Sequence, residues 1–110
     1  MEQALLVFTN LADEASAQQL AHALVGQRLA ACVNMLPAVR SVYRWNGAVE
    51  EAAEVTLLIK TTVARYAELE QAILALHPYE LPELVAVPVA AGLPGYLGWI
   101  ANETRKDIDA

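Results

Sequence analysis

Residues 77–83 read His77-Pro78-Tyr79-Glu80-Leu81-Pro82-Glu83, which brings an imidazole, a phenol and two carboxylates together between two prolines. Proline fixes φ near about −65° and biases the preceding residue toward extended backbone, so Pro78 and Pro82 predict a stiff loop able to preorganise these groups. His77 is a candidate metal ligand or general base, and Glu80 and Glu83 are candidate ligands beside it. Elsewhere the chain offers the lone thiol Cys32, the amine Lys60 and the aromatic pair Tyr43 and Trp45, which with Tyr79 are candidates for lining a cleft.

Each of these residues also has a plainer reading. A histidine that ends a helix interacts with the last carbonyls and the negative dipole end, and acidic loop residues are mostly just solvated. Free cysteine usually packs as a small hydrophobe, and Cys32 sits where core is expected. Tyr43 and Trp45 serve equally well as subunit anchors, because aromatic residues are enriched at interface cores. Lys60 ends an oily strand; it snorkels to water, anchors a ligand, or pairs across the interface with a carboxylate, for which Glu50, Glu51 and Glu54 are candidates. Trp99 reads as packing. No nucleophile, base and orienting group can be read together, so an enzyme would rest on Cys32 or His77 alone. Gly92, Gly95 and Gly98 match no phosphate-binding pattern, and no organic cofactor is predicted. A closed zinc site needs about four nitrogen or sulfur ligands, whereas the chain holds only Cys32, His22 and His77.

The elements that must position these groups follow from hydrophobic pattern. Ala4 to Phe8 is a continuous apolar run that predicts a buried strand stopping at Thr9-Asn10. Asp13 is a good N-cap for a helix whose Ala17, Leu20, Ala21 and Leu24 repeat at helical spacing until Gly26, with His22 off the stripe. Extended patterns follow at 31–36 and 39–45, with Pro37 as a bend or bulge between them. Asn46-Gly47 signals a type I′ hairpin, so Val49 to Thr61 runs back antiparallel. A second helix starts near Thr62, carries Tyr66, Leu69, Ile73 and Leu76 as its apolar stripe, and ends before Pro78. Glu83 to Val89 predicts a strand, with Pro88 hinting at an edge, and Pro94 opens a third helix carrying Leu97 and Ile100. Residues after Glu103 read as a frayed polar tail. This order is the βαββαβ ferredoxin-like plan of the α+β class, with a long β2–β3 hairpin and an extra C-terminal helix, in one domain over residues 1–110.

In that plan both main helices cover one face of the sheet. Yet Ala4–Phe8 and Val55–Ile59 are apolar on both faces, a pattern found where both sides are covered. The second side is therefore expected to pack on neighbouring subunits, with the 39–55 hairpin as the arm that reaches them. Composition agrees: 56% of residues are hydrophobic and 18% charged, against a usual charged share of about 25%. A net charge of −6 opposes nucleic-acid binding. One cysteine and no basic start at Met1-Glu2-Gln3 point to the cytoplasm. Leu84 to Ala101 has no charge over 18 residues but is broken by Pro88, Gly92, Pro94, Gly95 and Gly98, which excludes a spanning helix.

With these segments placed, the sequence resembles the CutA family of divalent-cation tolerance proteins over nearly its whole length. The resemblance rests on Leu29-Ala30-Ala31-Cys32-Val33-Asn34, Ser41-Val42-Tyr43-Arg44-Trp45-Asn46-Gly47, Leu58-Ile59-Lys60-Thr61-Thr62, the 77–83 segment and Tyr96-Leu97-Gly98-Trp99-Ile100. It implies a ferredoxin-like homotrimer whose hairpins extend across subunits, binding Cu²⁺ or another divalent cation. Some copper-binding members of that family place a cysteine at the end of the first strand and two adjacent histidines before the proline; Thr9, Leu76 and His77 stand there in this chain. Only His77 carries over, leaving His77 with Glu80, and Glu83 or a neighbour's side chain, to hold copper through nitrogen and oxygen. The alternative is a trimeric regulatory or scaffold module, similar in plan to PII-type signalling proteins, whose intersubunit clefts take a small molecule or a protein partner.

Overall fold

A computed structural model describes residues 2–106; Met1 and the last four residues of the polar tail lie outside the described residues. The element order is β1 (Ala4–Leu11), α1 (Glu14–Gly26), β2 (Cys32–Trp45), β3 (Ala48–Thr62), α2 (Val63–Leu76), β4 (Val85–Pro88) and α3 (Pro94–Glu103). The four strands form one antiparallel sheet in the order β2-β3-β1-β4, the ferredoxin-like arrangement with a long hairpin and an added helix. Among the described residues no helix is long and apolar enough to cross a membrane; the uncharged stretch divides into β4 and α3.

Local chemistry accounts for the element ends. Asp13 caps α1, its carboxylate accepting the Ser16 N–H at 2.8 Å and satisfying one of the orphan donors of the first turn. Gly26 is the last helical residue rather than the break; Arg28, at φ 60°, turns the chain so that the Leu29 and Ala30 N–H groups both reach the Leu24 carbonyl. Asn46 and Gly47 both have positive φ, 50° and 81°, as a type I′ turn requires. The register slips between Leu36 and Val39, where Ala38 takes φ 61°, so the bend foreseen at Pro37 is a β-bulge. At about 3.3 Å per residue, the 15-residue β3 alone accounts for the molecule's 47 Å length.

The alternation of β1 and β3 divides two faces. On the first, Leu5, Val7, Leu11, Val55, Leu57 and Ile59 are buried under α1 and α2, whose Leu20, Leu24, Leu69 and Ile73 complete the core. Leu76, expected in the α2 stripe, is the last helical residue and is 52% exposed. On the second face, α3 crosses one end, packing Ile100 and Leu97 with Ala4, Ala31 and Val89. Loop 79–83 crosses the other end. Between them Leu6, Phe8 and Leu58 are half-buried, and Leu36, Val85 and Val87 are exposed.

Three boundaries differ from expectation. β1 continues through Thr9, Asn10 and Leu11 because each has a partner on β3 (Leu57, Thr56 and Val55), so pairing overrides the polar residues. β4 begins at Val85 because the chain before it is still in the loop. Thr104 is buried rather than frayed, its hydroxyl donating to the Ile100 carbonyl at 2.8 Å.

Candidate functional site

The 77–83 segment is tied down at its first residue. The His77 ring lies 8% exposed, with Nε2 2.7 Å from the Asn10 carbonyl and Nδ1 3.1 Å from the Tyr79 N–H. A carbonyl only accepts and an N–H only donates, so Nε2 carries the proton and Nδ1 accepts: this is a neutral imidazole with both nitrogens engaged. The ring that the sequence offers as a metal ligand or base ties the loop to the end of β1. Among the described residues no three His, Cys, Asp or Glu side chains are grouped to hold a metal ion, so His77, Glu80 and Glu83 do not form a chelating set within one chain.

The residue that sequence reasoning missed is Asn10. Its carbonyl receives His77, its Oδ1 accepts the Thr56 hydroxyl at 2.6 Å, and its Nδ2 donates to Glu83 Oε1 at 2.8 Å. The available signal is a polar residue following an apolar run, a pattern that also marks a strand's end. Glu83 is thereby fixed, and the Tyr79 hydroxyl donates to Glu54 Oε2 at 2.9 Å, which fixes the loop to β3. Burial, reinforced by the bond to Glu54 and its charge, pushes the Tyr79 phenol up to about 12. The neutral phenol is favoured by folding, so its contribution is present below about pH 10 and is lost as pH rises toward 12. Ultraviolet titration should show one phenol ionising near 12, and Glu54→Gln should lower it by removing the charge while leaving the burial.

Loop and hairpin together wall a cleft of about 810 Å³. Tyr43, Trp45, Glu50 and Glu54 come from the hairpin and Tyr79, Glu80 and Glu83 from the loop, while Asn10 lies at its inner end. Pairing of Tyr43 with Glu50 and of Ser41 with Ala52 sets small residues between the carboxylates. Of the expected cleft residues, Tyr43, Trp45 and Tyr79 are brought together here. Cys32 and Lys60 are not. They are cross-strand partners, four residues along β3 from Thr56, or about 13 Å from the Asn10 hub. Cys32 is half-exposed on the second face rather than core, because its position in β2 places it beside Lys60. Lys60 Nζ donates to Asn34 Oδ1 at 2.7 Å and stands 5.8 Å over the Tyr96 ring. Glu54, the nearest candidate, is six residues or about 20 Å away along the strand. Trp99 is 41% exposed and stacks on Tyr96 at 5.5 Å. Cys32 and His77 thus do not meet within one chain.

The family model that matches is the CutA1 divalent ion tolerance protein, over residues 5–103. A divalent-cation tolerance protein CutA from Thermus thermophilus is 45% identical over 104 residues, covering 94% of this chain and 99% of its own length. Protein CutA of Mus musculus is 41% identical over 90% of this chain, which spans 56% of that protein. Among solved structures, a divalent cation tolerance protein from Thermus thermophilus superposes with a TM-score of 0.91 at 44% identity, covering 93% and 99% of the two chains. CutA1 from Oryza sativa gives 0.92 at 35% identity, covering 96% of each.

Proposed function

The chain belongs to the CutA1 divalent ion tolerance protein family, and from that premise we propose that it binds divalent cations as a homotrimer, at sites to which the carboxylates of Glu80 and Glu83 contribute. The observation that carries this reading is the position of those carboxylates: their loop borders the uncovered apolar strip of Leu6, Phe8 and Leu58, through Glu83 bonded to Asn10 two residues beyond Phe8. Burying that strip brings a second chain to the edge of the loop. Among the described residues one chain groups no three suitable donors, so a multidentate site draws on two protomers. His77 contributes by holding the loop, not by ligation.

For a given set of nitrogen and oxygen donors, affinity among first-row divalent ions peaks at Cu²⁺, so copper is the ion to titrate and its neighbours bind more weakly. Calorimetric titration should give saturable Cu²⁺ binding that the double substitution Glu80→Gln with Glu83→Gln weakens by roughly tenfold or more. The melting temperature should stay nearly unchanged, because the amide oxygen introduced by Glu83→Gln still accepts from Asn10. That drop in affinity corresponds to at least about 1.4 kcal/mol. Equal binding by both proteins sinks the assignment. A lone thiol that is not in a disulfide fits the cytoplasm as the location.

The aromatic cleft favours a second reading, a regulatory module that senses a small molecule. Its volume falls in the usual range for small-molecule sites, about 300–1,000 Å³.

A further inference from the structure

Asn10 is a buried polar side chain, 9% exposed, near the end of β1, and both ends of its amide are engaged. Its partners fix which way the amide faces. A carboxylate only accepts, so the amide nitrogen is the atom turned toward Glu83 Oε1 at 2.8 Å. That leaves Oδ1 facing Thr56, its direct partner across the β1–β3 ladder, whose hydroxyl donates to it at 2.6 Å. The main-chain carbonyl of the same residue accepts from the His77 ring at 2.7 Å. Turning the amide over would set Oδ1 against a carboxylate oxygen, which leaves one favourable orientation. These bonds join β1, β3 and the loop of a single chain, so the orientation is set before any second copy arrives.

The consequence falls on Glu83. With Oε1 occupied by an amide N–H, ligation through Oε2 alone keeps that bond, whereas ligation through both oxygens competes with it. Hydrogen bonds to a ligating carboxylate orient it in this way and are worth about 10–100-fold in metal affinity. Divalent cations differ in what they ask of such a group. Ca²⁺ gathers about six to eight oxygens and readily takes a carboxylate through both of them. Cu²⁺ prefers a tetragonal set with fewer donors, which a single carboxylate oxygen suits. A glutamate restrained to one oxygen therefore disfavours Ca²⁺ without disfavouring Cu²⁺.

From this geometry we propose that Asn10, held by Thr56, is a positioning residue that sets cation specificity: it presents Glu83 as a one-oxygen ligand and so selects a first-row divalent ion over Ca²⁺. This rests on the reading of Glu83 as a ligand and adds to it a cause of selectivity. Asn10 acts through Glu83 and does not itself ligate. Holding the carboxylate in advance also lowers the ordering cost that a solvated loop glutamate would meet on binding.

The test is calorimetric titration of the assembled protein with Cu²⁺ and, separately, with Ca²⁺, in wild type, Asn10→Ala, Thr56→Val and Thr56→Ser. Asn10→Ala should weaken Cu²⁺ by about tenfold or more while Ca²⁺ holds or gains, so the ratio of the two affinities falls by about tenfold or more. Thr56→Val, which keeps the shape but removes the hydroxyl, should move the ratio the same way, and Thr56→Ser should restore it. The Thr56 pair reads the ratio even where Asn10→Ala does not fold. Infrared difference spectra of metal-loaded against metal-free protein should show one-oxygen carboxylate ligation in wild type and two-oxygen ligation in Asn10→Ala. A merely structural Asn10 would lower the melting temperature and weaken both ions alike; a constant ratio across the variants therefore overturns the proposal, as does two-oxygen ligation in wild type. A constant ratio in variants whose copper binding is still lost on Glu80→Gln with Glu83→Gln overturns this inference and leaves the ligand assignment standing. No copper binding by wild type sinks both.

Discussion

Leu58→Glu is expected to convert a three-copy species into single copies, with sedimentation equilibrium reporting the mass. Leu58 lies in β3, central in the sheet, and is paired with Phe8 across and Asn34 on the other side. It faces away from α1 and α2, on the strip left between α3 and loop 79–83. Complete burial of a leucine is worth about 1.5–3 kcal/mol, and closed threefold symmetry repeats that contribution in each copy. A glutamate there also brings an unpaired charge into the interface, which is costlier than the lost contact. Together these effects lower the association constant by three orders of magnitude or more, at about 1.4 kcal/mol per tenfold. A Leu58→Glu protein that keeps its three-copy mass at nanomolar dilution would show that this face is not the interface.

Why the second face was visible from composition, and the site was not, comes down to what each kind of signal encodes. Apolar runs predict burial whatever does the burying, so Ala4–Phe8 and Val55–Ile59 predict cover on both faces; the structure places α1 and α2 over the first and α3 over one end of the second. Asn46-Gly47 and Asp13 act through their own backbone neighbours, and both performed as local chemistry requires. The cleft depends on long-range register. Nothing in the residues near Asn10 says that Thr56 and Glu83 will meet it, 46 and 73 positions away. Register also separates Lys60 from Glu54 within one chain, because along a strand six residues is a distance, not a contact. Both nitrogens of His77 are engaged by backbone groups, one of them on a strand 67 positions away, which the 77–83 residues by themselves do not disclose.

That role makes the second large prediction. His77→Ala should lower stability by about 2–5 kcal/mol, because the buried Asn10 carbonyl and the part-buried Tyr79 N–H lose their partners, at about 1–3 kcal/mol for a fully buried group, and a cavity opens beneath the loop. For a chain of this size the melting temperature falls by about 10–20 °C. His77→Asn keeps an acceptor near the Nδ1 position and His77→Gln keeps a donor near Nε2, so each should recover part of the loss. The discriminating measurement is copper affinity of the folded variants. A ligand histidine would lose copper in all three while leaving stability nearly intact, since a solvent-facing ligand supports little structure. A loop-holding histidine gives the reverse order: stability falls most in His77→Ala and less in the other two, and the copper affinity of whatever remains folded follows how well Glu80 and Glu83 are still presented.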